Sequence, residues 1–150
     1  IITNLEAIVN PGDTLYYLGD LTFKKDVAEL FFRLFKDIEI HYIIGNHDST
    51  KIVEVAEKNC ASASRIKDIK IEGQSITLCH YAMRVWNKSH FNAWQLYGHS
   101  HGTLKPVGKQ YDVGVDNNNF VPVSFPELVE IMKEREDNVN YIPPKQRMRK

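Results

Sequence analysis

Residues 14–48 read TLYYLGDLTFKKDVAELFFRLFKDIEIHYIIGNHD, and this segment already indicates a layered architecture. Residues 14–18 form a short apolar run that ends in a Gly-Asp pair, which predicts a strand followed by a tight turn. Residues 25–36 repeat apolar side chains at helical spacing, so we expect an amphipathic helix there. Residues 38–44 are apolar and β-branched and stop at a glycine, which predicts the next strand. Strand, helix and strand in succession favour an α/β or α+β domain.

The rest of the chain continues this alternation. We predict a helix over 50–58, a hairpin of strands 64–71 and 75–79, strands over 94–97 and 111–115, and a helix over 125–136. The last helix begins at a Ser-x-x-Glu capping box. We therefore expect one domain over residues 1–137, followed by a basic, flexible and mostly solvated tail over 138–150.

Composition excludes several classes of protein. The chain has 150 residues, of which 43% are hydrophobic and 25% charged, the ordinary mixture of one soluble globular domain. No run approaches the ~20 apolar residues that a membrane span needs, so we expect no membrane association. Lys+Arg and Asp+Glu both count 19, which leaves nucleic acid as a possible but unfavoured partner. Two cysteines are too few for a disulfide scaffold, so we expect a reduced, cytoplasmic protein.

Residues with metal-ligand chemistry follow the predicted strands instead of being scattered along the chain. They are Asp20, Asn46, His47, Asp48, His80, His99 and His101. In open α/β sheets, ligand sites form outside the carboxyl ends of the strands. Four strand ends meeting there gather a carboxylate, an amide oxygen and several imidazoles, a mixed oxygen and nitrogen set that suits divalent metals. The order of residues therefore predicts a metal site.

The chemistry of each residue suggests its role. Asp20 has two carboxylate oxygens and can bridge two cations, while Asn46 offers a neutral carbonyl oxygen. In segment 99–101, histidines at i and i+2 point the same way if the backbone is extended. His47 is better placed to donate a proton than to bind the same ion as its neighbour. Asp48 is placed to hydrogen-bond His47 and hold its tautomer.

Taken singly, these residues also have ordinary structural explanations. A lone Gly-Asp pair is usually a turn, a lone His80 a partly buried histidine, and Asp48 a helix cap. The segment 98–102, GHSHG, is compatible with a surface loop. Only the joint pattern favours the metal site.

The motifs Gly19-Asp20, Gly45-Asn46-His47-Asp48, His80 and Gly98-His99-Ser100-His101 together resemble the calcineurin-like metallophosphoesterase superfamily. Residues 80–86, HYAMRVW, and 112–116, DVGVD, look like a compact single-domain bacterial or phage branch. The resemblance implies a four-layer sandwich of two mixed β-sheets flanked by helices. It also implies two divalent metal ions, with manganese first among the candidates and iron, zinc, nickel or magnesium as alternatives. By this resemblance, Asp20 bridges the ions, Asn46, His80 and His99 complete the second, and His101 binds the first.

The sequence departs from that family at its start. Family members carry an Asp-x-His motif upstream of Gly-Asp, whereas the 18 residues before Gly19 contain no histidine. We therefore expect the first strand and its motif to be missing. A truncated or incomplete chain is the favoured explanation, with a natural one-metal variant as the alternative.

The resemblance implies hydrolysis of a phosphate mono- or diester by a water that the metals activate. His47 would act on the phosphate or the leaving group, supported by Asp48. A small phosphate ester, preferably a diester, is the expected substrate, and Arg84 is a possible substrate contact because its guanidinium can grip a phosphate. The alternative for Arg84 is a solvated surface charge.

Two rival functions remain open from the sequence. One is a catalytically impaired scaffold or binding module with the same fold. The other is a single structural metal site, for which chelation would unfold the protein without any hydrolysis being observed. The sequence leaves the oligomeric state unassigned.

Overall fold

The computed structural model describes residues 1–147 and contains two β-sheets flanked by helices. The helices are α1 (Ile2–Glu6), α2 (Lys25–Leu34), α3 (Thr50–Asn59), α4 (Phe125–Lys133) and α5 (Pro144–Arg147). The strands are β1 (Thr14–Tyr17), β2 (Glu39–Ile43), β3 (Ser62–Ser64), β4 (Ile66–Ile71), β5 (Gln74–Cys79), β6 (Trp94–Tyr97) and β7 (Gln110–Asp112). Within residues 1–147, no helix is long and apolar enough to cross a lipid bilayer.

The two sheets differ in strand direction. The first has the order β1-β2-β3 and is parallel throughout, with α2 and α3 as its crossover helices. The second has the order β4-β5-β6-β7, in which β4 and β5 form an antiparallel hairpin and the other pairs are parallel. The predicted α+β architecture of two sheets and outer helices is confirmed. The expectation that both sheets are mixed is wrong for the first, because helical crossovers impose parallel pairing.

Alternation along β1 and β2 divides the apolar side chains between two cores. Ile40 and Tyr42 belong to a first core with the buried face of α2, whose Phe31 and Phe32 are nearly inaccessible. Ile43, one residue further on, belongs to a second core. That core also contains Ile76, Leu78, Trp94, Leu96, Leu128 and Met132, from β5, β6 and α4. The strand β2 therefore connects both cores and holds the carboxyl ends of both sheets near one another.

Short elements without an apolar pattern are not predicted by the sequence. The strand β3 consists of Ser62–Ser64 and carries no period-2 signal, yet it pairs with β2 through parallel hydrogen bonds. The helix α1 was also not anticipated, since no side-chain cap marks its start. The strand β7 ends at Asp112 rather than at residue 115, where a 3₁₀ turn (Val115–Asn117) begins.

The carboxyl-terminal segment is only partly the solvated tail that the sequence predicts. Asn138 is 4% exposed, and its side-chain amide donates hydrogen bonds to the carbonyls of Ser89 and Ala93, each at 2.9 Å. Residues 142–147 are exposed, as expected. The prediction is therefore wrong for Asn138, because its amide satisfies the backbone of a buried turn. The end of the predicted tail, residues 148–150, lies outside the described residues.

Candidate metal centre

Four strand ends, two from each sheet, meet at the site. Asp20 follows β1, Asn46 follows β2, His80 follows β5 directly and His99 follows β6. A hydrogen bond joins the two sheets here, because His80 Nδ1 donates to the carbonyl of Leu18 at 2.6 Å. The site thus forms where carboxyl ends of parallel strands lie side by side, as the sequence predicts.

The side chains of Asp20, Asn46, His80 and His99 converge. His80 Nε2 lies 3.1 Å from Asp20 Oδ2 and 2.9 Å from Asn46 Oδ1. His99 Nδ1 lies 2.9 Å from the same Asn46 oxygen. One ligand atom each from Asp20, His80 and His99 falls within a common span of 4.8 Å. We call these four residues the metal cluster.

The contacts of His80 show that the cluster suits a cation. Since the Leu18 carbonyl can only accept, Nδ1 of His80 carries a proton, and Nε2 points toward the oxygens of Asp20 and Asn46. Because both oxygens are acceptors, the space between them and Nε2 favours a cation, either a proton on the ring or a metal ion. The Leu18 contact is also the kind of outer hydrogen bond that orients a metal-binding histidine. The donor set therefore fits a divalent metal.

Two glycines allow the loops that carry Asp20 and Asn46 to approach each other. Gly19 has φ +88°, and a Cβ there would lie 2.6 Å from the backbone nitrogen of Gly45. A Cβ on Gly45 would collide with the carboxylate of Asp20. Asp20 itself adopts the left-handed conformation, with φ 58°, which is uncommon outside glycine and is often found at functional sites.

Asp48 holds the loops together and does not contact the His47 ring. Its Oδ1 accepts a hydrogen bond from the Tyr42 hydroxyl at 2.8 Å. Its Oδ2 accepts from the backbone N–H groups of Gly45 at 2.8 Å and Asp20 at 3.1 Å. The expectation that Asp48 orients the His47 imidazole is therefore wrong, because its two oxygens serve these three donors. Burial first, and Asp48 second, raise the pKa of Tyr42, so the phenol stays a donor.

His47 lies beside the cluster with an exposed ring. Its backbone N–H donates to Asp20 Oδ1 at 2.8 Å, which turns that carboxylate so that its other oxygen faces His80. The imidazole packs edge to face on Phe23, with ring centroids 5.5 Å apart. The backbone of His47 thus contacts the cluster, while its ring packs on Phe23 and is not among the converging ligand groups.

His101 does not join the metal cluster. Residues 99 and 101 both have positive φ, 61° and 49°, so the segment is a tight turn and not the extended backbone that the i, i+2 argument requires. The ring of His101 is 76% exposed and its Nδ1 pairs with Asp116 Oδ2. The hydrogen bond that His101 donates to Asp116, and then the charge of Asp116, raise the pKa of His101. The two histidines therefore diverge.

Arg84 lies outside the cluster, on the segment that follows His80 and Tyr81. It is exposed and borders a groove of about 200 Å³ together with Lys105. The backbone at the groove is held by buried amides, since Gln110 Nε2 donates to the Met83 carbonyl at 2.7 Å. The structure leaves a role of Arg84 in substrate binding as a prediction.

Sequence reasoning did not identify Asp112 as part of the site. This carboxylate is 3% exposed and accepts hydrogen bonds from the backbone N–H groups of Gly102 at 3.1 Å and Gly114 at 3.0 Å. It thereby fixes the turn that carries His99. Its position at the end of β7 was the available signal, because β7 pairs with β6, whose end carries His99.

Comparisons with known proteins establish the fold and no activity. No family model matches the chain. An uncharacterized protein of Methanocaldococcus jannaschii is 26% identical over 143 residues, covering 89% of this chain and 74% of that protein. The crystal structure of a protein of unknown function from Aquifex aeolicus has a TM-score of 0.67 at 24% identity, over 87% of this chain and 82% of that one. A novel archaeal phosphodiesterase matches with a TM-score of only 0.48 at 17% identity, over 68% of this chain and 67% of that one.

Proposed function

We propose that this protein is a metal-dependent phosphoesterase that hydrolyses a phosphate mono- or diester. The observation that carries the proposal is the convergence of Asp20, Asn46, His80 and His99 from four strand ends onto one point. The order of the motifs, which resembles that of calcineurin-like metallophosphoesterases, supports the same activity.

The metal cluster is proposed to hold a divalent cation, with manganese favoured and iron, zinc, nickel or magnesium as alternatives. A divalent ion at such a site supplies positive charge to phosphate oxygens and lowers the pKa of water. A further ion is proposed, which Asp20 and His101 would hold. Binding of that ion would require the His101 ring to leave Asp116.

The residues around the cluster have separate tasks in this proposal. His47 donates a proton to the leaving oxygen, since its backbone N–H contacts Asp20 while its exposed ring stays outside the cluster. General acids of this kind contribute roughly 100- to 10,000-fold to the rate. Asp48 acts as a positioning residue that ties the loops together. Arg84 is proposed to contact the substrate from the neighbouring groove.

A second candidate is a protein that binds one metal ion and lacks hydrolase activity, as a scaffold or structural metal site. The pairing of His101 with Asp116 favours it, because this pairing keeps His101 from joining Asp20 as a ligand of a further ion. Under this alternative the metal cluster binds one ion, and removing that ion destabilises the fold without affecting any reaction.

Metal content and hydrolysis measured together separate the two candidates. The experiment counts manganese per chain by elemental analysis after reconstitution, and follows hydrolysis of bis(4-nitrophenyl) phosphate and 4-nitrophenyl phosphate. Two ions and hydrolysis are expected of the wild type. His80→Ala should lose the metal and the activity, whereas His47→Ala should keep the metal and lose about 100-fold or more in turnover. His90→Ala, a histidine outside the cluster, is the matched control.

The outcomes are distinct. One ion per chain without hydrolysis would favour the scaffold, and unchanged turnover in His47→Ala would remove that residue from the reaction. Unchanged metal content in His80→Ala would refute the metal cluster itself.

A further inference from the structure

Two exposed aromatic side chains contact histidines, one of them on His47 and the other on two members of the metal cluster. Phe23 is 80% exposed, and its ring centroid lies 5.5 Å from that of His47. Tyr81 is 43% exposed, and its ring lies 4.7 Å from His99 and 5.1 Å from His80. All three contacts place the rings edge to face, so the aromatic rings flank the histidines without covering them.

Phe23 and Tyr81 lie at opposite ends of one chain of contacts. His47, which Phe23 touches, donates its backbone N–H to Asp20 Oδ1 at 2.8 Å. The other oxygen of the same carboxylate lies 3.1 Å from His80, which Tyr81 touches. This chain of contacts therefore connects the two aromatic rings through the Asp20 carboxylate.

Packing in the protein does not explain this exposure. Neither ring belongs to the two hydrophobic cores formed within residues 1–147. A phenylalanine that is four-fifths exposed gains little free energy from burial. Phe23 also differs from an isolated apolar residue on the surface, because its ring contacts His47. Aromatic faces and edges are suited to contact planar, unsaturated groups.

We propose that Phe23 and Tyr81 are specificity-determining residues that contact the two organic arms of a phosphodiester and favour planar, aromatic arms. The inference rests on the proposed function, because it places the phosphorus over the metal cluster. Each ring contacts one arm, so an aryl or nucleobase-bearing diester gains two contacts and an alkyl diester gains little.

A pair of anions that cannot be hydrolysed tests the proposal by binding alone. Diphenylphosphinate and dimethylphosphinate share the same two oxygens, but carry aryl or methyl arms on carbon–phosphorus bonds. Their affinities for the manganese-loaded protein are measured by titration calorimetry. Stacking of a planar group on one aromatic side chain changes affinity by about tenfold. We expect the diphenyl compound to bind at least about tenfold more tightly than the dimethyl compound.

Variants assign this difference to the two rings. Phe23→Ala and Tyr81→Ala should each weaken diphenylphosphinate by about tenfold and dimethylphosphinate by less than about twofold. Phe23→Tyr and Tyr81→Phe keep the rings and should retain the wild-type preference. Phe91→Ala, which removes an exposed phenylalanine with contacts elsewhere, is the control. The metal content of each variant verifies that the cluster is intact.

Equal binding of the two anions, or equal weakening of both by Phe23→Ala, would overturn the proposal. Failure of this proposal can be distinguished from failure of the proposed function. If bis(4-nitrophenyl) phosphate is never hydrolysed but the ring-dependent preference persists, the hydrolase proposal fails and the assignment of the two rings stands. If hydrolysis occurs and the preference is absent, only the assignment of the rings fails.

Discussion

Replacing Asp48 by alanine should destabilise the fold even without metal, because this carboxylate accepts three hydrogen bonds that lock two loops together. The donors are the Tyr42 hydroxyl at 2.8 Å and the backbone N–H groups of Gly45 at 2.8 Å and Asp20 at 3.1 Å. Gly45 is buried, and Asp20 is partly buried. Loss of the carboxylate leaves both N–H groups without that acceptor.

The expected magnitude follows from these contacts. A hydrogen bond to a charged group contributes about 1.5–3 kcal/mol, and an unsatisfied buried donor costs about 1–3 kcal/mol. Because the three bonds share one carboxylate, they are not additive, and we expect Asp48→Ala to lower the free energy of unfolding by about 3–5 kcal/mol. Tyr42→Phe removes only one donor and should cost about 1.5 kcal/mol. The larger loss is a substantial part of the ~5–15 kcal/mol that stabilises a typical domain.

Urea unfolding in the presence of a chelator measures this effect without a contribution from metal binding. Asp37→Ala, an exposed aspartate before β2, is the matched control and should change the stability by less than about 0.5 kcal/mol. The double variant Asp48→Ala/Tyr42→Phe should be less destabilised than the sum of the single variants, since the two side chains share one hydrogen bond.

A small effect on stability would refute this reasoning. If Asp48→Ala unfolds within about 1 kcal/mol of the wild type while hydrolysis is lost, the carboxylate positions the site without stabilising the fold.

Two further predictions concern the loops and the buried phenols. Gly19→Ala should destabilise the protein and weaken manganese binding in a titration, because a Cβ would lie 2.6 Å from the backbone nitrogen of Gly45. The control is Gly73→Ala, at a residue with a similar φ of +86° but open space around it, and it should leave manganese binding unchanged. Burial, then Asp48 and Asp20, raise the pKa of Tyr17 to about 12. Since this folded pKa lies above the unfolded value of 10.0, the stabilising contribution is complete below pH 10.0 and is lost as the pH rises through about 12. Tyr17→Phe should therefore shift alkaline unfolding, followed by circular dichroism, to higher pH, and an unchanged midpoint would contradict the prediction.

Local patterns made much of the fold predictable. The helices α2 and α3 and the strands β1, β2, β5 and β6 carry regular apolar periodicity, and turn residues mark their ends. The strand β3, whose residues are small and polar, exists because β2 offers it an open edge for backbone pairing. Such an element has no local signal, since its stability comes from a partner distant in sequence.

The metal cluster was predictable for the same reason. Asp20, Asn46, His80 and His99 each follow a strand, and parallel strands present their carboxyl ends on one edge. The sequence thus determined the elements with regular apolar periodicity and the polar residues that follow them, because both depend on residue type and local spacing. The partners of Asp48 and His101 were decided by the tertiary structure alone. They depend on positive backbone dihedrals, on the contact between Gly19 and Gly45, and on which donor or acceptor a distant loop places nearest. Hydrogen bonds act over about 3 Å, so a rotation of one residue in a turn exchanges one partner for another without altering the pattern of the sequence.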